Sequence, residues 1–174
     1  NPCQRPYVHW GFLRQFRSLQ KDIENDITEY INDNNSETKE LVITGHSLGA
    51  AQATLASLEF KLQYPEMIIS CYTYGSPRVG DDTFIDLFEK NINHYERFVN
   101  EEDPVTLIPF AWRFTHLPNF IYLNENGNLC NNIKENRWWS MIKDLFEYLF
   151  FGEENPLGDH SCNDYLCKLE NTDE

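Results

Sequence analysis

Leu41-Val42-Ile43-Thr44-Gly45-His46-Ser47-Leu48-Gly49-Ala50-Ala51 joins a strand-forming run to a glycine-flanked serine and an alanine-rich segment. The first four residues favour a strand, and residues 50–60 favour a helix. The turn between them has the pattern Gly-x-Ser-x-Gly, in which small residues let the backbone bend sharply and present the serine hydroxyl above the edge of a sheet. The pattern predicts that Ser47 is a nucleophile. The alternative is an ordinary helix-capping role for Ser47.

The composition is that of a globular protein with an acidic surface. Hydrophobic residues make up 41% and aromatic residues 14% of the 174 residues, which excludes a disordered chain. No apolar run approaches the roughly 18 residues that would span a bilayer. The net charge of −14 disfavours nucleic acid and anionic membranes as partners and leaves neutral or zwitterionic substrates. We expect residues 1–174 to form a single domain.

Cysteine usage and one glycosylation sequon bear on the cellular compartment. Four of the five cysteines could form disulfides in an oxidising compartment, whereas Cys71 lies in an apolar run and is predicted to be a buried free thiol. Asn34-Asn35-Ser36 is a sequon and favours secretion or the secretory-pathway lumen. The spacing of cysteines and histidines indicates no metal. Because the chain starts at Asn1 without a signal peptide, we expect its natural beginning to lie upstream.

Hydrophobic patterns predict strands that alternate with helices, as in a mostly parallel sheet flanked by helices. Residues 81–90 are predicted as a helix, residues 95–100 as a strand, and residues 120–123 as a short strand before a turn at Asn126-Gly127. Residues 67–74 are predicted as a strand buried on both faces. Residues 136–151 are predicted as a helix that covers the sheet, with a lipid-touching helix as the alternative. Residues 13–31 are predicted as an amphipathic helix with an apolar face at Phe16, Leu19, Ile23, Ile27 and Ile31.

A serine nucleophile needs a base and an orienting carboxylate, and the order serine, acid, histidine indicates which residues supply them. Asp103 follows the strand at 95–100, with Glu101 and Glu102 as rivals and a turn role as the alternative. His160 has enough preceding chain to come from a separate loop, although a lone histidine is more often structural. We predict that His160 is the base, that Asp103 orients it, and that the Leu48 amide binds the oxyanion.

The other four histidines are set aside because of their positions in the chain. His46 is locked inside the turn, and His9 precedes it. His94 lies before the acid-bearing strand, and His116 follows Asp103 too closely.

Five linked motifs occur in order along the chain. They are Val8-His9-Trp10-Gly11-Phe12, Val42-Ile43-Thr44-Gly45-His46-Ser47-Leu48-Gly49, Tyr72-Thr73-Tyr74-Gly75-Ser76-Pro77-Arg78-Val79-Gly80, Arg97-Phe98-Val99-Asn100 with Asp103-Pro104-Val105 and Ile108-Pro109, and Asp159-His160 with Tyr165. Together these motifs resemble the class 3 lipase family of fungal triacylglycerol lipases, feruloyl esterases and plant phospholipase A1 relatives. The resemblance implies an α/β-hydrolase fold, ester hydrolysis on acylglycerols or phospholipids, no cofactor, and a triad of Ser47, Asp103 and His160.

Two features depart from the family pattern. Upstream of Val-His-x-Gly-Phe the family has a Phe-Arg-Gly-Ser/Thr-type motif, which gives the second oxyanion donor, and then a lid helix; neither is found in these 174 residues. Ala50-Ala51 stands where the family commonly has Gly-Gly or Gly-Ala. We therefore expect residues 1–174 to form the larger, C-terminal part of an α/β-hydrolase domain whose N-terminal part is missing. A second chain is one source that would supply the missing segment.

The sequence thus predicts a serine carboxylester hydrolase that cleaves acylglycerol or phospholipid esters through an acyl-enzyme. Peripheral contact with a neutral or zwitterionic lipid surface is expected, and Trp138 and Trp139 would shape the acyl groove or meet that surface. One alternative is a non-catalytic lipase-like scaffold or lipid-binding subunit completed by another chain. Another is an esterase that acts on small or aromatic esters.

Overall fold

The computed structural model of the protein describes residues 5–33, 39–100, 103–109, 112–124, 128–131 and 160–170. Helices and strands alternate through most of these ranges. In chain order the elements are α1 (Trp10–Asp33), β1 (Glu40–His46), α2 (Leu48–Gln63), β2 (Ile68–Tyr74), α3 (Asp82–Asn91), β3 (His94–Asn100), a 3-10 helix (Pro104–Leu107), β4 (Phe120–Leu123), β5 (Leu129–Asn131) and α4 (Cys162–Glu170).

The strands form one sheet whose spatial order follows the sequence, from β1 to β5. Strands β1 to β4 are parallel, and β5 pairs antiparallel with β4. His46, Tyr74 and Phe98 lie side by side in the register, so the carboxyl ends of the first three strands meet at one edge. Side chains that follow parallel strands collect at such an edge, which is where ligands bind in α/β folds. The predicted α/β class is confirmed.

Helix α2 fixes the turn that contains Ser47 because it is packed on several sides. It contacts β1, β2, α1 and α3, and it approaches them closely through small side chains. Two of its buried hydroxyls, on Thr54 and Ser57, donate to the helix carbonyls of Ala50 and Ala53 over 2.9 and 2.7 Å. These buried hydroxyls are thereby satisfied within the helix itself, so α2 can pack on the sheet without unpaired hydroxyls at these two positions.

Apolar side chains cover the two faces of the sheet unequally. The larger cluster lies between the sheet and helices α1 to α3 and includes Phe16, Phe60 and Phe88. A smaller cluster on the opposite face joins Phe98 and Leu123 to Tyr165 of α4. Helix α4 therefore packs on the sheet close to the carboxyl ends of β3 and β4.

Several predicted elements differ in detail from the structure. Helix α1 begins at Trp10 rather than at residue 13, and Leu19 is 47% exposed because it lies at the margin of the apolar stripe. Strand β2 is not buried on both faces: its residues alternate between buried and partly exposed. Helix α4 was not predicted. The predicted helix at 136–151 lies outside the described residues. No described helix is long and apolar enough to cross a membrane.

The structure confirms the predicted buried thiol at Cys71 and shows no disulfide at two of the cysteines that were considered for one. Cys71 is a buried free thiol, and burial raises its pKa to about 11, partly offset by a hydrogen bond with Ser57. Cys162 and Cys167 are exposed free thiols on α4 rather than members of a disulfide.

The turn around Ser47 is strained, and one of its two glycines is sterically required. Ser47 has φ 58° and ψ −126°, a conformation that side chains rarely adopt. A Cβ atom on Gly45 would lie 2.2 Å from the carbonyl oxygen of Gly49, whereas a Cβ on Gly49 would meet no atom of the described residues within 4 Å. The predicted need for small residues therefore applies to Gly45 and not to Gly49.

We expect Gly45→Ala to destabilise the protein by about 3 kcal/mol or more, because backbone atoms of α2 would have to move. Gly49→Ala is the matched control, and it should be neutral or stabilising by up to about 1 kcal/mol because alanine favours a helix. Denaturant unfolding of both variants measures the difference. Equal midpoints for the two variants would contradict this account of the turn.

Candidate active site

Ser47 stands at the carboxyl edge of the sheet and points its hydroxyl toward a histidine. The Ser47 amide donates to the carbonyl of Tyr74 over 3.0 Å, which ties the turn to the end of β2. Its side chain makes no capping hydrogen bond to α2. Instead, Ser47 Oγ lies 2.7 Å from Nε2 of His160. Ser47 thus occupies the N-cap position of α2, but its hydroxyl faces His160 instead of capping the helix.

The imidazole of His160 connects Ser47 to Asp103. His160 Nδ1 lies 2.9 Å from Oδ2 and 3.0 Å from Oδ1 of Asp103. A carboxylate accepts hydrogen bonds, so Nδ1 faces Asp103 as the donor, and in the tautomer with hydrogen on Nδ1 the Nε2 atom accepts from the Ser47 hydroxyl. The structure thus brings together the three side chains singled out in the sequence, although 113 residues separate Ser47 from His160 along the chain.

Asp103 is fully buried and is surrounded by hydrogen-bond donors. Apart from His160, its carboxylate accepts from the amide of Val105 over 2.9 Å and from the hydroxyl of Tyr165 over 2.7 Å. Burying a charged carboxylate is costly unless donors of this kind replace water. Asp103 also caps the 3-10 helix, so the turn role and the contact with His160 belong to the same residue. Its rivals Glu101 and Glu102 lie outside the described residues.

Tyr165, on α4, links the acid to the end of β3. Its hydroxyl accepts from the amide of Asn100 over 2.9 Å and donates to Asp103. Burial, and next the nearby Asp103 carboxylate, raise the pKa of Tyr165 far above its ordinary value, so the hydroxyl stays protonated and remains a donor. The side chain of Asn100 bonds Asp164 and accepts from Lys168, which anchors α4 to the same strand end.

Gly75 is a site residue that was named from the sequence only as a member of a family motif, directly after the strand predicted at 67–74. It has φ +57°, and a Cβ atom there would lie 2.6 Å from Asp103 Oδ2 and 3.0 Å from His160 Nδ1. Its amide donates to the carbonyl of Phe98 over 3.1 Å. Glycine is therefore required both by the backbone conformation and by the space that the acid and base occupy. The sequence signal that pointed to this position was a glycine directly after a strand predicted to be buried.

Leu48 is the first residue of α2 and follows the nucleophile directly. The first amides of a helix have no acceptor within the helix, and they carry the positive end of its dipole. The Leu48 amide is therefore available to an anion that forms beside Ser47. Its side chain is 43% exposed.

The remaining histidines take other positions. His116 bonds the carbonyl of Thr106 over 2.5 Å, and burial, with Arg97 and Arg78 nearby, lowers its pKa well below the usual range. His94 is exposed at the start of β3. His46, however, lies against His160, with the two ring centroids 4.6 Å apart.

This fold and the position of the serine define the class of protein, an α/β-hydrolase. Residues 1–112 match the family model described as Lipase (class 3), and the chain belongs to that family. The resemblance seen in the sequence motifs is thereby confirmed.

Curated relatives match the chain over a limited part of their own length. The toxin TseL of Vibrio cholerae is 38% identical over 109 residues, which cover 63% of this chain and 16% of the toxin. The chloroplastic phospholipase A(1) DAD1 of Arabidopsis thaliana is 35% identical over 60% of this chain and 24% of its own length. The secreted mono- and diacylglycerol lipase 1 of Fusarium solani is 35% identical over 62% and 32%. The chain therefore spans at most about a third of these relatives.

A solved structure shares the fold over a larger part of the chain. It is that of a triacylglycerol lipase whose catalytic centre is formed by a serine protease triad. It has a TM-score of 0.68 and 26% identity, and the alignment covers 81% of this chain and 56% of the lipase.

We expect Gly75→Ala to lower kcat by about 100-fold, because a methyl group at this position would displace the Asp103 and His160 side chains, and a shift of about 1 Å in a catalytic group can have an effect of this size. Hydrolysis of p-nitrophenyl butyrate measures kcat, and thermal unfolding shows that the variant is folded. A folded variant with unchanged kcat would contradict the role given to the space beside Gly75.

Proposed function

We propose that the protein is a serine carboxylester hydrolase that cleaves acylglycerol or phospholipid esters. The observation that carries the proposal is the continuous contact from Ser47 Oγ through the His160 ring to the buried carboxylate of Asp103, over 2.7 and 2.9 Å. A serine hydroxyl is a weak nucleophile at its own pKa, and a histidine oriented by a carboxylate is the arrangement that activates it.

The proposed acylation step follows from these contacts. Ser47 Oγ attacks the ester carbonyl carbon while His160 Nε2 takes the hydroxyl proton, which converts the ring to imidazolium. Asp103 holds the Nδ1 hydrogen and stabilises the positive charge. His160 then protonates the leaving alkoxide, so that an alcohol departs and an acyl group remains on Ser47. Water activated by the same histidine releases the fatty acid.

The tetrahedral intermediate needs donors for its oxyanion, and we propose the Leu48 amide as one of them. Its place at the start of α2 puts an amide without a helical acceptor next to Ser47. One such donor typically lowers the barrier by about 2.7 to 4 kcal/mol. The family resemblance puts a second donor upstream of Val8, and we propose that the protein's own upstream segment or a second chain supplies it.

The proposed substrate class is supported by the names of the relatives and by the charge of the chain. The relatives carry the names phospholipase A(1) and mono- and diacylglycerol lipase, and the solved neighbour is a triacylglycerol lipase. A net charge of −14 favours neutral or zwitterionic lipids over anionic ones. We further propose that residues 1–174 belong to one domain and that the protein enters the secretory pathway. The name of the Fusarium relative and the sequon at Asn34 support that location.

A lipid surface would meet exposed apolar side chains, and three of these follow Ser47 or Asp103 in the chain. Leu48 directly follows Ser47 and is 43% exposed. Ile108 follows the 3-10 helix that Asp103 caps and is 44% exposed, and Trp112 is 81% exposed. We propose that these three side chains contact the surface of neutral or zwitterionic lipid aggregates. The role considered for Trp138 and Trp139 concerns residues outside the described ranges.

We expect Ser47→Ala to reduce ester hydrolysis by about 10⁴-fold or more, because no other group replaces the nucleophile. The measurement is turnover of p-nitrophenyl esters of short and long chain, together with intact-mass analysis after fluorophosphonate treatment. The unmodified protein should gain one adduct and Ser47→Ala none. Ser18→Ala, which changes an exposed serine of α1, is the matched control and should keep both activity and adduct.

Absence of both turnover and adduct in the folded, full-length protein would contradict the proposal. That result would favour the alternative of a lipase-like scaffold or lipid-binding subunit. Turnover of short esters alone, without activity on lipid dispersions, would favour an esterase of small substrates.

For the lipid surface, we expect the double variant Ile108→Ser, Trp112→Ser to bind phosphatidylcholine vesicles about 10-fold more weakly, since burial of these side chains in lipid would be lost. Vesicle flotation measures binding, and hydrolysis of soluble p-nitrophenyl butyrate should stay unchanged. Leu62→Ser is the control, because Leu62 is 52% exposed at the opposite end of α2. Equal flotation of all three proteins would rule out this surface.

A further inference from the structure

We propose that His46, the residue directly before the nucleophile, is a positioning residue that holds His160 in its working orientation. The inference rests on the proposed function and adds a fourth side chain to the three that perform it. In the sequence, His46 lies inside the turn, and it was not expected to serve as the base. Its contacts in the structure reach His160, which is remote in sequence, through both the main chain and the ring.

The first contact is a hydrogen bond to the main chain of His160. His46 Nε2 lies 2.7 Å from the backbone carbonyl oxygen of His160. A carbonyl oxygen only accepts, so Nε2 of His46 must carry the hydrogen. The carbonyl of Ser161 accepts from the amides of Asp164 and Tyr165 in α4, over 3.1 and 3.2 Å. The His160 carbonyl lies one residue before this acceptor. His46 donates a hydrogen bond to the His160 carbonyl.

The second contact is ring packing. The rings of His46 and His160 lie 4.6 Å apart with an angle of 31° between their planes. The same His46 ring meets Tyr165 edge-on, with centroids 5.7 Å apart. Both neighbours bond the Asp103 carboxylate. His46 therefore limits the rotation of the base and packs against the residue that supports the acid.

The position of His46 on the sheet explains why these contacts matter. His46 is the last residue of β1 and pairs in register with Tyr74 of β2, so its main chain is fixed by the sheet. His160 reaches Ser47 from a point 113 residues later in the chain. A bond from the strand that carries the nucleophile to the main chain of the base sets the distance between the two reacting groups. Errors of about 1 Å in such distances lower rates by about 100-fold.

The geometry of the turn does not by itself require a histidine at this position. The residue that sterics restrict in this turn is Gly45, because a Cβ atom added there would collide with the backbone of α2. The contacts with His160 account for the histidine.

Two variants separate the hydrogen bond from the ring. His46→Phe keeps an aromatic ring without a donor, and His46→Gln keeps a donor near the place of Nε2 without the ring. We expect His46→Phe to lower kcat for p-nitrophenyl butyrate by about 10-fold or more, with KM unchanged because no substrate contact is removed. His46→Gln should recover most of kcat. The rate of fluorophosphonate labelling should fall and recover in parallel, since it depends on the same activation of Ser47.

Nuclear magnetic resonance of the full-length protein with ¹⁵N-labelled histidines gives a readout that does not depend on turnover. His46 should carry a hydrogen on Nε2, because that nitrogen faces the His160 carbonyl oxygen. The resonance of the His160 Nδ1 hydrogen should shift or broaden in His46→Phe and return toward its original position in His46→Gln. An Nε2 of His46 without hydrogen, or an unchanged His160 resonance in the Phe variant, would overturn the inference.

The outcomes distinguish this inference from the proposed function. An unmodified protein without turnover or label would contradict the function, and the tautomer and the His160 resonance would still decide the role of His46. An active protein whose folded His46→Phe variant keeps kcat would contradict the role of His46 alone. If His46→Phe does not fold, the hydrogen on the His46 ring decides: a hydrogen on Nε2 supports the inference, and an Nε2 without hydrogen contradicts it.

Discussion

The buried carboxylate of Asp103 is the constraint on which the arrangement around Ser47 depends. A charge without solvent contact must be matched by donors, and here the amide of Val105, the hydroxyl of Tyr165 and the ring of His160 provide them. His160 and Tyr165 lie together at the start of α4, and Val105 lies in the 3-10 helix, so satisfying one carboxylate holds the start of α4 against the segment that follows β3. The same requirement holds the His160 ring with its Nε2 toward Ser47.

A second constraint is the short distance over which a strand turns into a helix. Ser47 adopts a strained conformation, which persists because β1 pairs with β2 on one side and α2 is buried on the other. The strain serves a chemical purpose under the proposed function, because it keeps the hydroxyl on the open side of the sheet edge. Gly45 and Gly75 keep the necessary space, one beneath the turn and the other beside the acid and base.

Helix α4 connects fold and site on the opposite face of the sheet. Tyr165 belongs to the apolar cluster with Phe98 and Leu123, and its hydroxyl also bonds Asp103. The ring of Tyr165 thus packs in the apolar cluster while its hydroxyl holds the Asp103 carboxylate in place. His46 extends this arrangement, since its ring touches both Tyr165 and His160. The support of the proposed base therefore comes from β1 and α4 together, which explains how a histidine so distant in sequence keeps its place.

The sequence by itself determined the α/β class, the family and the three candidate side chains. These features are local or ordered along the chain: hydrophobic periods predict strands and helices, the pattern at Gly45 to Gly49 predicts the turn, and the order of serine, acid and histidine selects Asp103 and His160. The tertiary structure alone decided the parts played by Gly75, Tyr165 and His46. Their contacts join residues far apart in sequence, and no local pattern records which of them meet at the edge of the sheet. The free thiols on α4 and the exposure of Leu19 likewise depend on how helices pack, which hydrophobic spacing does not specify.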